Sequence, residues 1–479
     1  LTFGDFNPAL YYEKYRNIDQ NIIHTSLKWG GGNDATRQKR VRAYIESLMM
    51  MMRNKVLING GNVSATRIIW FYPASMSQFV LAQLQDIWRS LHQQYFPAAP
   101  ALVSYSESEA PYYHCSAGLP SIHPSINIDI GGGSTDVVVF QRDQPKLLTS
   151  FRFAGGALFG NAYTKGASLD NGFVKHFMPP VELFLASNYY SLFNLNSVFN
   201  QLKDPLKNVS ADLVSFFFSL DSQSNSQIAA NHLDFSFAQL LRQDTDFKVM
   251  YYLFFGAQMY HIAHLMKSVG LEMPQHIFFS GNGSRVLSLL DITPNWSSLN
   301  RIAALIFEKI YETPMHKDGI QVHRNDQPKE ATCKGGIKKL TLTAFGTQDS
   351  AISNVVYVGD ESRTIVSETG GNYQGVRMKY AGIDNSMRES VVEEVRRCLR
   401  LLLQQIPNEF NVGNFGVPIG KMQSYYAVLD HSLDGFLQAG LLERAETTSQ
   451  EATIEETLFF YPLIGALHRL GLAIANKQV

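Results

Sequence analysis

The chain holds only three cysteines in 479 residues, Cys115, Cys333 and Cys398, and they lie far apart. That spacing argues against a disulfide framework and for a reducing compartment. An excess of either charge is also missing: 41 Lys and Arg stand against 42 Asp and Glu, a net charge of −1. Near-neutrality argues against a dedicated nucleic-acid binder. No apolar run reaches the ~20 residues needed to span a bilayer. The best candidate, Leu458–Ala475, is interrupted by Pro462, Gly465, His468 and Arg469, and predicts an amphipathic helix packed on its domain. No secretory pattern opens the sequence, so a cytoplasmic protein is expected. Spaced pairs of metal ligands are missing too, which leaves His114, Cys115 and His123 as incidental residues.

What the chain does have is apolar mass and two glycine-rich punctuation points. A 45% hydrophobic content is ample for sizeable cores. Residues 126–140, INIDIGGGSTDVVVF, alternate Ile126, Ile128 and Ile130 on one strand, break at Gly131-Gly132-Gly133, and resume as Val137–Phe140. This pattern predicts a β-hairpin whose turn carries almost no side chains. Glycine lets backbone N–H groups approach an anion and point at it together. Ser134 and Thr135 add hydroxyl donors, and Asp129 is suited to hold a hydrated Mg²⁺ that bridges to phosphates. The alternative for the same residues is a tight hairpin that binds nothing; the flanking Asp and the Ser-Thr-Asp tail favour phosphate.

Residues 275–287, QHIFFSGNGSRVL, run from an apolar strand (Ile277–Phe279) into Gly281-Asn282-Gly283-Ser284-Arg285 and then a helical pattern. A glycine turn between strand and helix lets a flat ring or a phosphate approach the backbone. Arg285 offers a guanidinium plane for stacking on a base; the alternative for the same residues is an ordinary strand–helix turn.

Together these stretches resemble the superfamily of actin, the seventy-kilodalton heat-shock chaperones and sugar kinases. The hairpin at 129–136 is similar to the family's second phosphate loop, and 281–285 to its adenosine loop. Further matches follow in order: Ile68–Pro73 with Gln78 and a helical run to Leu91, the segment Tyr105–Ala110, Phe153–Gly160 with its Gly155-Gly156 pair, and Pro328–Gly336, similar to the second connecting helix at the hinge. The resemblance covers roughly residues 37–340. It implies an α/β fold with duplicated actin-like ATPase (ribonuclease H-like) lobes around a nucleotide cleft, plus an α+β C-terminal extension. ATP and Mg²⁺ are the cofactors it implies. Asp129 and Glu107 would serve the metal and the attacking water, Gly131–Thr135 the phosphates, Gly155 and Gly156 the loop behind the hairpin, and Gly281–Arg285 the adenosine. One part of the pattern is missing: no Asp-x-Gly-Thr hairpin precedes residue 129. Either that first phosphate loop lies upstream of Leu1 or the protein lacks it.

The expected organisation is a first lobe over 1–125, a second lobe over 126–340, and an extension over 341–479. The second lobe would contain a variable outer subdomain at about 166–243 and a hinge helix at about 328–340. Helices are predicted at about 37–58, with Val41, Ile45, Leu48 and Met52 on one face, and at about 246–268, capped by Thr245 or Asp246. His261 and His264 on the latter suit solvent or core contacts better than contact with a base. In the extension, strands are expected at Lys338–Phe345, Val355–Gly359 and Arg363–Ser367. Capping boxes are expected at Ser386–Glu389 and Thr453–Glu456.

Three functions fit. The first is a nucleotide-driven conformational switch that binds ATP and ADP and hydrolyses ATP. The second is an inactive nucleotide-binding scaffold. The third is a small-molecule kinase, for which neither a catalytic Asp nor an acceptor pocket is identifiable. A protein partner or self-assembly is expected through 341–479 or the outer subdomain; nucleic acid and a membrane span are not.

Overall fold

The computed structural model describes residues 35–72, 78–116, 119, 124–142, 144–164, 170–204, 209–222, 225–293, 295–315, 319–324, 330–344, 356–358, 382–447 and 457–479. The chain divides into two units, Leu1–Ala117 with Glu330–Asp349, and Gly118–Lys329 with Ser350–Val479. These bounds differ from the expected breaks after 125 and 340: the hinge segment belongs with the first unit, and the C-terminal helices belong with the second.

In the first unit, the helix Ala35–Ile58 turns Val41, Ile45 and Met49 inward, one turn apart. The stripe therefore passes through Met49 rather than Leu48, which is half-buried. The helix Gln78–Tyr95 packs on it through Leu81, Leu84 and Leu91. Two parallel strands, β1 (Ile69–Tyr72) and β2 (Val103–Ser106), lie with this core, where Trp70 stacks on Trp88. The short helix Ala110–Cys115 packs against the helix Ala331–Ala344. Any Cβ at Gly335 would overlap the Ala110 carbonyl, so glycine is what permits this approach. The strand expected at Lys338–Phe345 is therefore helix through Ala344. Lys339, one turn beyond Gly335, pairs with Glu109 and lies 4.5 Å from the Tyr105 ring centroid. These contacts on one helical face outweigh the strand preference of Thr341 and Thr343.

The second unit is built on a six-stranded sheet in the order β7 (Gln321–Arg324), β6 (His276–Ser280), β3 (Ser125–Ile130), β4 (Thr135–Gln141), β5 (Gln144–Phe151), β8 (Val356–Val358). β3, β4 and β5 form an antiparallel meander. β6, β7 and β8 join in parallel. Ile126, Ile128 and Ile130 are fully buried, as are Val137–Phe140.

The helix Lys248–Ser268 is buried all round, from Val249 to Met266. An all-round apolar helix needs cover on every side. Helix Ser297–Tyr311 supplies part of it. The C-terminal helices supply more: Tyr252 Oη donates to the Leu402 carbonyl at 2.6 Å, and Tyr260 Oη to Glu394 Oε1 at 2.6 Å. Gly256 leaves room for the Leu402 side chain, 2.5 Å from where a Cβ would stand. Helix Phe460–Ala475, the amphipathic helix expected from the sequence, stacks Phe460 on Phe151 and Phe153. Its Gly471 meets Gly172, backbone to backbone, at the start of helix Gly172–Ser187. Beyond residue 349, the described part of the extension is thus wall of the second unit. Among the described residues, no helix is long and apolar enough to cross a membrane.

Neither expected cap is made, and helix Lys248–Ser268 starts after Phe247 with no side-chain cap. Helix Asn385–Arg400 is capped by Asp384, which accepts from the Met387 amide at 2.8 Å, not by Ser386. Asp244, not Thr245 or Asp246, accepts from the Phe247 amide at 2.8 Å, and it also pairs with His176 Nε2 at 2.5 Å. Burial acts to raise the Asp244 pKa, but these two bonds outweigh it and hold the carboxyl below its usual value. The strand at 363–367 and the capping box at 453–456 lie outside the described residues. The three cysteines are free thiols.

Of the two expected settings for His261 and His264, solvent or core, the structure has the core. His261 stacks on Phe459 at 5.6 Å, and His264 lies 3.7 Å from Glu394. Burial lowers their pKa values to about 3 and about 4, with His264 adding to the effect on His261, and Lys267 and Arg397 adding to that on His264. An unfolded chain titrates these rings near 6.5, so between about 4 and 6.5 it binds more protons than the folded chain. Stability is therefore expected to fall as pH drops through that window. The urea midpoint should decrease from pH 7 to pH 5, and His264→Gln should flatten the slope.

Candidate functional site

Hairpin β3–β4 closes through Gly131–Ser134, with the Gly131 amide donating to the Ser134 carbonyl at 2.9 Å. Two other glycine segments of the second unit meet this tip. On one side, the amides of Gly155 and Gly156 donate to the carbonyls of Gly131 (3.2 Å) and Gly132 (2.7 Å). Elsewhere on the tip, a Cβ at Gly283 would stand 2.8 Å from the Ile130 carbonyl oxygen and 2.9 Å from that of Gly131. Gly281, with φ +75°, leaves similar contact with Ile130 and with Asp129 Oδ1. The sequence-predicted loops 131–133, 155–156 and 281–283 therefore converge by backbone contact.

The glycines differ in why they are glycine. Gly281 and Gly283 are demanded by packing, and Gly281 also by its left-handed backbone. Gly132 and Gly133 are not: a Cβ at either would meet nothing within 4 Å, and neither has a positive φ.

Asp129, half-buried, ends β3 and accepts from Ser280 Oγ at 3.1 Å. Directly across the ladder stands Asp136. Opposed residues of an antiparallel pair share a face, so the two carboxyl groups are carried on the same face of the sheet. Mg²⁺ binds through one or two carboxylates plus waters and phosphate oxygens, and this pair fits that need. Among the described residues no group of three His, Cys, Asp or Glu is arranged to hold a metal. His123 lies outside the described residues.

One expected hydroxyl donor, that of Thr135, is turned inward instead. Thr135 is fully buried and its Oγ1 donates to the Phe153 carbonyl at 2.8 Å, beside Gln258 Nε2 on the same oxygen at 3.2 Å. Ser284 is likewise buried, and its Oγ donates to the Gly281 carbonyl at 2.7 Å, closing the turn. Both hydroxyls satisfy buried backbone carbonyls, so of the hairpin's pair only Ser134 is placed to meet an anion. Asn282 and Arg285 are exposed on the short helix Asn282–Val286.

Glu107 belongs to the first unit. It is half-buried, it follows β2, and its amide donates to the Tyr72 carbonyl at 2.9 Å. Its neighbour Glu109 is engaged by Lys339 and, at 3.4 Å, by Tyr113 Oη.

Sequence reasoning missed a cleft of about 200 Å³ beside the hairpin, lined in part by Gly133, Gly156, Arg152, Tyr163, Arg444 and Tyr461. Arg152 stands close before Gly155, a position that proximity alone could have flagged. Arg444 and Tyr461 carry no local motif and reach the cleft only through the tertiary fold.

No protein-family model matches the chain, and no curated protein matches it in sequence. Among solved structures, the chain is similar to MreB5 of Spiroplasma citri bound to ADP, at 11% identity and a TM-score of 0.28, over 66% of this chain and 79% of that one. The same protein bound to AMPPNP matches at 11% identity and a TM-score of 0.26, over 59% and 71%. Overlap this slight establishes neither a family nor a function.

The two classes of glycine predict different outcomes. Gly283→Ala should lower stability by about 1–3 kcal/mol, because backbone cannot yield to the added methyl. Gly132→Ala and Gly133→Ala should stay within about 0.5 kcal/mol of the parent. Chemical denaturation of the three variants measures both.

Proposed function

We propose that the protein is an actin-like, nucleotide-binding switch whose glycine hairpin carries the phosphates of ATP. The observation that supports this reading most directly is the openness at Gly132 and Gly133. Neither packing nor backbone conformation asks for glycine there, and a ligand approaching the backbone does.

In this reading the amides of Gly132, Gly133 and Ser134 face the β- and γ-phosphates. The Gly281–Arg285 turn meets the adenosine, with the exposed Arg285 guanidinium suited to stacking on the base. Asp129 and Asp136 hold hydrated Mg²⁺, and Ser280 orients the Asp129 carboxylate. The metal supplies charge neutralisation at the phosphates. Hydrolysis on such a site needs positioning and charge stabilisation rather than covalent chemistry. A nucleotide shifts conformation only as far as it binds one state better than another, so ATP and ADP must differ in affinity for the two states. Self-assembly or a protein partner is assigned to the outer subdomain rather than to 341–479, because the described C-terminal helices are built into the core.

Calorimetry with Mg·ATP tests the reading. The parent should bind, and Asp129→Ala should weaken binding by about tenfold or more, the loss expected when a charged metal ligand is removed. Phosphate release measured on the same samples reports turnover. Absence of binding in the parent, or equal binding by Asp129→Ala, would reject the assignment.

A further inference from the structure

The cleft beside the hairpin lies wholly within the second unit. Gly133, Gly156 and Arg152 come to it from the hairpin side. Arg444 comes from helix Leu433–Thr447 and Tyr461 from helix Phe460–Ala475. Tyr163 Oη donates to the Tyr461 carbonyl at 3.0 Å and ties the two sides together. Gly440 keeps helix Leu433–Thr447 close, since a Cβ there would lie 2.8 Å from the Tyr163 ring.

Size and charge narrow what fits. Pockets that enclose a whole drug-sized ligand run to about 300–1,000 Å³. A cleft of about 200 Å³ falls below that range. At about 30 Å³ per water, it has room for a phosphoryl group and a few waters. The charged lining is Arg152 and Arg444 against one carboxylate, Glu443. The guanidinium fork matches phosphate oxygens in two-point contact. Gly133, at the open end of the hairpin, is shared between this cleft and the phosphate-carrying tip.

We propose that the cleft formed by Gly133, Arg152 and Arg444 takes the terminal phosphoryl group of a nucleoside triphosphate carried on the hairpin. This rests on the nucleotide reading above. It adds a consequence: the C-terminal helices sense whether the third phosphate is present, because Arg444 is theirs. Free inorganic phosphate shares the same chemistry and is the competing source.

Calorimetry with Mg·AMPPNP, Mg·ADP and inorganic phosphate separates these cases, using the parent, Arg444→Ala and the exposed-site variant Arg152→Ala. A charge-assisted contact removed from one ligand only should cost about tenfold or more in affinity for that ligand. The expected result is that the parent prefers Mg·AMPPNP to Mg·ADP, and that each variant loses that preference while Mg·ADP affinity stays within about twofold. Thermal melting identifies a misfolded variant, in which case the other decides. If both variants keep the preference, or lose both nucleotides equally, the assignment of the cleft is wrong while the hairpin reading stands. If neither nucleotide binds the parent but inorganic phosphate does, and Arg444→Ala abolishes it, the cleft is a free-phosphate site and the triphosphate proposal is overturned. If none of the three binds, both readings fall.

Discussion

The second unit turns on backbone touching backbone at Gly131 and its neighbours. The carbonyls of Gly131 and Gly132 are held by the Gly155 and Gly156 amides, and Gly281 and Gly283 close on Ile130 and Gly131. No side chain separates these segments, so the hairpin tip is placed by the least flexible atoms of the chain. The carbonyl of Phe153 extends the same lock inward, accepting from Thr135 and Gln258. Gln258 stands on the buried helix Lys248–Ser268, which links the position of the tip to the core of the unit. A tip fixed from behind leaves Gly132 and Gly133 facing open space.

The core carries this arrangement because the C-terminal helices complete it. A helix apolar on every side would be left half-wet by a sheet and one neighbour. Leu402, Glu394 and Phe460 close the remaining sides, and Gly471 against Gly172 brings the last helix onto the outer helices. Removing this segment would expose the helix behind the hairpin rather than detach an independent module. The same helices place Arg444 beside Gly133. Support for the core and the shape of the candidate site thus come from one stretch of chain.

The elements with strong period or strong punctuation were legible in the sequence. The Ile126-Ile128-Ile130 alternation, the triple glycine and the strand–turn at 277–285 predicted local structure that the fold contains. The helix at Lys248–Ser268 was legible from its length and composition. What could not be read depended on partners distant in sequence. Residues 338–344 look like strand by themselves, and become helix because Gly335 and Lys339 meet Ala110 and Glu109. The inward turn of the Thr135 hydroxyl depends on the Phe153 carbonyl, 18 residues away, and no local pattern encodes it. Asp136 was visible as part of the Ser-Thr-Asp tail, but its place opposite Asp129 follows only from the hairpin register.

The most direct test is amide hydrogen exchange across residues 126–140 and 276–288, with and without Mg·AMPPNP. Backbone amides that cradle phosphates exchange more slowly when the ligand is bound. Slowed exchange at 131–135 and 281–285, with little change in the already buried strands, is the expected result. Protection confined to other segments, or none under conditions where the nucleotide is bound, would contradict it.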